Sequence, residues 1–290
     1  MQATDMQTST LKLRSLNTRI TQWGDSSKPL LVLLHGWMDC GGSFQFIAPK
    51  LAEHFYVVAP DLRGFGDTDH APGYWFPDYL ADLEALLNVY APNKPVDLAG
   101  HSMGGNIAMM YAGISPHRVK RVLSLESAGL LPTVPKEAPE KYRRWMMEVL
   151  SEQPARLYPS RQALLMSIHK SNPQLAPDIV ETLFDLWAEP AGPEGGFRLK
   201  HDHAHRYTNP YRYNYDDIQA IWSEISAKVG LAMATHSPMY SRLESADRIN
   251  DIRSSLNISE ENYYLLEGAG HMIHLERPEE TTKLMLHFFG

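Results

Sequence analysis

Serine, histidine and a carboxylate, set at the ends of apolar runs, are the residue types here that can do acyl-transfer chemistry together. A serine hydroxyl is a poor nucleophile until a neutral imidazole takes its proton, and the imidazole needs a carboxylate to hold its tautomer and stabilise its charged form. Ser102 is the candidate nucleophile. It lies in PVDLAGHSMGG, Pro95 to Gly105, where Val96 to Ala99 has the length and composition of a buried strand and Asn106 to Ala112 reads as a helix. The turn between them must be tight and strained, and Gly100 and Gly104 let strand and helix approach. Alone, G-x-S-x-G arises by chance in about one chain in ten of this length. Its surroundings must carry the argument.

His271 is the candidate base. In GAGHMIHLERP, Gly268 and Gly270 let the loop bend, and Pro278 opens a last helix. His274 lies closer to the helix start and is expected to be structural; His101 should point away from the nucleophile, and His35 should brace its loop by hydrogen bonding. The acid is open. Glu126 follows the strand after the nucleophile, whereas the next strand, Val229 to Ala234, runs into Thr235, His236, Ser237 and Pro238, with no carboxylate until Glu244 and Asp247. Glu126 is the first choice and Asp247 or Glu244 the alternatives. The order serine, acid, histidine fits successive strands of one sheet. Donors for the developing oxyanion are expected from the backbone N–H of Met103, which opens a helix, and of Trp37, after His35-Gly36.

The elements that must position these groups alternate. Leu11 to Leu16 and Thr18 to Trp23 suggest an edge hairpin joined at Asn17; Pro29 to Leu34 is an apolar run without alternation, as a strand covered on both faces requires. Phe44 to His54 reads as helix, Phe55 to Ala59 as strand, Tyr79 to Tyr90 as amphipathic helix and Arg121 to Leu125 as strand. From Gly129 to Ser226 only helical patterns recur: 141–152, 161–170, 177–188 and 215–225. The sheet resumes at Val229 to Ala234 and Asn262 to Leu266, and a helix from Pro278 to Phe289 ends the chain. The expectation is an α/β fold: a mostly parallel eight-stranded sheet with helices on both faces, its core split into 1–128 and 227–290 by a helical cap at 129–226.

Composition narrows the classes. With 290 residues and 43% hydrophobic content, the chain can bury a large core. A net charge of −7 and a pI near 6.0 argue against nucleic acid. No apolar run approaches the roughly 18 residues of a membrane span, and the first residues lack a secretory pattern, so a cytoplasmic protein without a membrane partner is expected. Cys40 is the sole cysteine, expected to be buried or incidental. In DLRGFGDT, Asp61 and Arg63 are expected to form a buried structural pair. His201, His203 and His205 share one face of an extended segment, but no further ligand set accompanies them. A polar loop is expected there, with no metal and no cofactor.

His35-Gly36-Trp37, DLRGFGD at 61–67, GHSMGG at 100–105 and GAGHMIHLERP at 268–278 together resemble the α/β-hydrolase superfamily, in the branch of serine-hydrolase-like proteins and esterases with a helical cap. Dehalogenases and epoxide hydrolases of that branch use aspartate where Ser102 stands, which argues against both activities. Some dehalogenases place their acid after the sixth strand, which favours Glu126. The expected activity is a serine carboxylesterase acting on a small or medium ester through an acyl-enzyme. The alternatives are a carbon-carbon bond hydrolase of diketone-like substrates and a low-turnover binding protein on the same fold.

Overall fold

The computed structural model describes residues 6–130, 132–151, 155–192, 195–211, 213–245 and 247–290. Ten strands are present among them: β1 (Gln7–Leu13), β2 (Leu16–Trp23), β3 (Leu30–Leu34), β4 (Tyr56–Pro60), β5 (Val96–His101), β6 (Val119–Leu125), β7 (Ala188–Pro190), β8 (Phe197–Leu199), β9 (Lys228–Ala234) and β10 (Tyr263–Leu266). Eight form one sheet in the order β1-β2-β4-β3-β5-β6-β9-β10; β7 and β8 make a separate two-stranded ribbon. Only β1 with β2 and β2 with β4 pair antiparallel; every other pairing in the large sheet is parallel.

The central strands are apolar because both faces are covered. Every residue of β5 is buried, as are the last four of β3 and of β4. One face packs under Leu83, Leu86, Ile107 and Tyr111, on the helices Phe76–Tyr90 and Met103–Ile114. The other packs under Leu51, Met285, Phe288 and Phe289, from Ala48–Leu51 and Pro278–Phe289. Topology does the rest: β3, β5 and β6 lie side by side, so the loops leaving their carboxyl ends converge on one crevice.

Between β6 and β9 the described chain forms helices Ala138–Leu150, Arg161–Ser171, Pro177–Trp187 and Tyr215–Ser223, plus the short ribbon. Residues 158 to 188 share an apolar cluster of their own around Leu164, Leu183 and Phe184, which reaches the core through Leu275. Helix Ala138–Leu150 buries none of its residues.

Local signals placed some elements differently. The first hairpin turns at Arg14 and Ser15, not at Asn17; Arg14 adopts φ +53° and its guanidinium reaches Asp78 and Asp82 at 3.0 and 3.1 Å. Non-local ion pairs hold a turn that has no glycine to announce it. Phe44 to His54 is not one helix: a 3-10 segment, Gly41–Phe46, precedes a single α-turn, Ala48–Leu51, with Pro49 in its first turn.

Candidate active site

Ser102 caps the helix Met103–Ile114 with φ +51° and ψ −112°, a conformation L-residues rarely adopt. Two close approaches impose it. A Cβ on Gly100 would lie 2.2 Å from the Gly104 carbonyl oxygen, and one on Gly104 would lie 2.1 Å from that of Leu34. The Ser102 N–H donates to Leu125 O at 2.9 Å, which fastens the turn to the end of β6. Gly36 leaves room for the neighbouring His101 ring, whose Nδ1 would lie 2.8 Å from a Cβ there.

Glu126 stands one residue beyond β6, fully buried, with φ +56°. Both its oxygens are engaged. Oε1 accepts the Ala234 N–H at 2.5 Å, from the last residue of β9, and Oε2 faces His271 Nδ1 at 3.0 Å. The proton of a neutral His271 therefore belongs on Nδ1, leaving the Nε2 lone pair free. The structure thus brings Glu126 to the imidazole. Glu244, by contrast, is exposed and accepts Tyr240 Oη at 3.1 Å, and Asp247 is exposed in a left-handed turn.

The His271 loop is shaped by Glu276, which accepts the N–H groups of Gly270 at 2.6 Å and Met272 at 3.0 Å. Among the described residues the Ser102 hydroxyl has no hydrogen-bond partner, and neither the Trp37 nor the Met103 amide donates one. An apo catalytic contact is commonly long until substrate tightens it. Two open amides beside a serine at a helix N-terminus suit an oxyanion.

Behind this group lies a buried polar chain. His101 Nε2 donates to the His271 carbonyl at 2.8 Å, and its ring packs 4.6 Å from that of His274. His274 Nε2 stands 3.5 Å from Asp39 Oδ2; Asp39 also accepts Cys40 N–H, Ser43 Oγ and Trp187 Nε1, each at 2.8 Å. Burial pushes Asp39 up, but His274, His35 and the Cys40 amide outweigh it and hold the carboxyl below its usual value. Burial, then His274 and His271, hold His101 well below the ordinary histidine value. The donor atoms of Asp39, His101 and His274 lie within 4.8 Å of one another. That spread is loose for one tetrahedral ion, whose ligands at about 2.0–2.1 Å stand roughly 3.4 Å apart. Within this buried cluster His101 Nδ1 and both His274 ring nitrogens lack hydrogen bonds among the described residues.

The neighbouring loops carry a correction. Asp61 and Arg63 are both buried but are not each other's partner. Asp61 accepts the amides of Gly41 at 2.7 Å and Asp67 at 2.9 Å, and burial pushes its carboxyl up to about 6. Arg63 instead makes a two-pronged bond with Asp82 at 2.6 and 2.7 Å. His35 braces the loop, accepting Leu62 N–H at 2.8 Å through Nε2. The segment from His201 to His205 is half-buried, not a free polar loop: the His205 ring lies 3.8 Å from that of Phe65 and 3.7 Å from that of Tyr74, and Nε2 meets Arg63 O at 3.1 Å. Cys40 is buried, and burial, followed by Asp61 and Asp39, pushes its thiol well up.

Two clefts reach residues of this group, one at Trp37 and Met103 and the other at His271. One, of about 410 Å³, is lined by Trp37, Met103, Trp75 and Trp145; the other, of about 490 Å³, by His271, His236, Met239 and Arg242. Asp39 and Trp187 carried no local signal of a role. In the chain Asp39 follows Trp37 by two residues and His274 follows His271 by three, spacings that do not by themselves announce the network.

The α/β hydrolase fold family model matches residues 29–278. A serine hydrolase-like protein of Danio rerio is 28% identical over 276 residues, 92% of this chain and 83% of that protein. Serine hydrolase-like protein 2 of Homo sapiens is 25% identical over 284 residues, 92% and 88% of the two chains. Among solved structures, the thioesterase domain from the curacin biosynthetic pathway superposes with a TM-score of 0.84 at 20% identity, over 97% of this chain and 99% of its own. Matched from β3 to the first residue of its last helix, this chain belongs to the α/β-hydrolase family.

Proposed function

We propose that the protein is a serine carboxylesterase that hydrolyses small to medium esters through an acyl-enzyme. One observation carries this: a buried carboxylate holds His271 Nδ1 at 3.0 Å beside a strained serine elbow with two open amides. Ser102 Oγ attacks the ester carbonyl as His271 Nε2 takes its proton. The oxyanion is held by the N–H groups of Trp37 and Met103. Collapse expels the alkoxide, which receives the proton from His271, and water then repeats the sequence on the acyl-enzyme to release the acid and restore Ser102. Glu126 keeps the imidazole in its working tautomer. These steps need only water beside the ester, and no cofactor. The segment 129–226 serves as a cap over the crevice: its Trp145 and Val149 line the cleft that also holds Trp37 and Met103.

Names of relatives that contain "serine hydrolase" accord with this assignment. An aryl-ester panel run on the wild type and Ser102→Ala, with a vinylogous diketone alongside, tests it. Ester turnover that vanishes in Ser102→Ala supports it. Diketone cleavage without ester turnover would transfer the same residues to carbon-carbon bond hydrolysis, and absence of both, with no labelling by a fluorophosphonate, would leave a binding protein.

A further inference from the structure

The two clefts differ in chemistry, and their positions assign them to different ends of a substrate. His271 must hand its proton to the leaving oxygen, so the leaving group extends into the cleft His271 lines, beside His236 and Arg242. The acyl group is left with the other mouth, the one whose wall includes both oxyanion residues.

That second wall is aromatic and, among the described residues, carries no Asp, Glu, Lys or Arg. Its one histidine, His205, is brought by burial down to about 3 and is neutral at ordinary pH. The Tyr74 hydroxyl, which also belongs to this wall, is tied back, donating to Asp202 at 2.6 Å and accepting Ala71 N–H at 3.0 Å. Trp75 and Trp145 stand with ring centroids 6.0 Å apart. Trp37 is 51% exposed and Trp75 42% exposed, apolar surface that a bound group would cover. A charged acyl tail would lose its water there and find no countercharge.

We propose that the preferred substrates carry an uncharged, aromatic acyl group, packed against Trp37 and the exposed side of the Trp75–Trp145 pair; this rests on the esterase assignment above. Ring-on-ring contacts add to simple area burial, and for one lost aromatic wall the expected effect is about three- to tenfold. A straight aliphatic chain of equal size gains only the area.

The test holds the leaving group constant. p-Nitrophenyl phenylacetate, benzoate, hexanoate, acetate and hemisuccinate are compared by kcat/KM, alongside fluorophosphonate labelling. The phenylacetyl or benzoyl ester should exceed the hexanoyl by about tenfold, and the hemisuccinyl should be the poorest. Trp145→Leu, with Trp75→Leu as a second variant should the first misfold, should lower the phenylacetyl-to-hexanoyl ratio about three- to tenfold. A hexanoyl ester as good as the aromatic ones, or a ratio unmoved in both variants, overturns the acyl assignment while the esterase stands. No ester turnover and no labelling overturns both.

Discussion

The Glu126 carboxylate joins two strands to one imidazole: Oε1 accepts the Ala234 N–H that ends β9, and Oε2 meets His271 Nδ1. A strand that offers no acid of its own thereby still fixes the acid supplied by its neighbour. Glu126→Gln keeps an acceptor for Ala234 but loses the charge that stabilises imidazolium. Turnover should fall by about 10³–10⁴, with circular dichroism unchanged. Asp247→Asn and Glu244→Gln should stay within about twofold of wild type; the opposite ranking in steady-state kinetics would move the role to one of them.

Ser102→Ala should lower kcat by at least ~10³ and abolish fluorophosphonate labelling. Ser102→Gly should be equally inactive but more stable than the wild type, since glycine tolerates the φ of +51°. The expected gain is about 0.5–2 kcal/mol, strain relief less the entropy of an added glycine. Urea unfolding of the three proteins decides; a Gly variant less stable than the Ala variant would show that the elbow is not strained.

Arg63 is buried and held by Asp82 on two prongs. Asp82→Asn removes the two-pronged partner, leaves Arg63 with Asp78 at 3.4 Å, and should cost about 2–4 kcal/mol. Replacing both, Arg63→Met with Asp82→Asn, should recover part of that loss because no charge is then stranded. A double-mutant cycle without coupling would refute the pairing.

Burial lowers His35, lowers His101 well below its usual value, and brings His201 to about 4 and His205 to about 3. In the unfolded chain each returns to about 6.5. Below that pH the unfolded state binds more protons than the folded one, so the stability these groups contribute is present above about pH 6.5 and lost as pH falls. Melting temperatures measured from about pH 8 to about pH 4 should begin to drop near pH 6.5. A Tm flat across that range would mean that these imidazoles bind protons in the fold as readily as in the unfolded chain.

What could be read along the chain was whatever is decided locally or by pattern. Unalternating runs gave the central strands, and paired glycines marked the elbow because no side chain fits where Gly100 meets Gly104. Glu126 could be picked out because it directly follows a buried run. Partner choice was not legible: Asp61 and Arg63 are neighbours in sequence, yet each takes a partner from elsewhere, Arg63 from 19 residues away. The packing of His205 on Phe65 and Tyr74, and the bond from Trp187 to Asp39 across 148 residues, arise only when distant segments meet.

In the proposed esterase the two clefts would also set the order of traffic. Once the first product had left past His271, that mouth would stand open while the acyl group still filled the other. A small alcohol could then enter by the route water uses and be deprotonated by the same imidazole. Ester hydrolysis and ester exchange would become competing fates of one intermediate, partitioned by the concentration of alcohol and by how well it fits beside Arg242 and Met239.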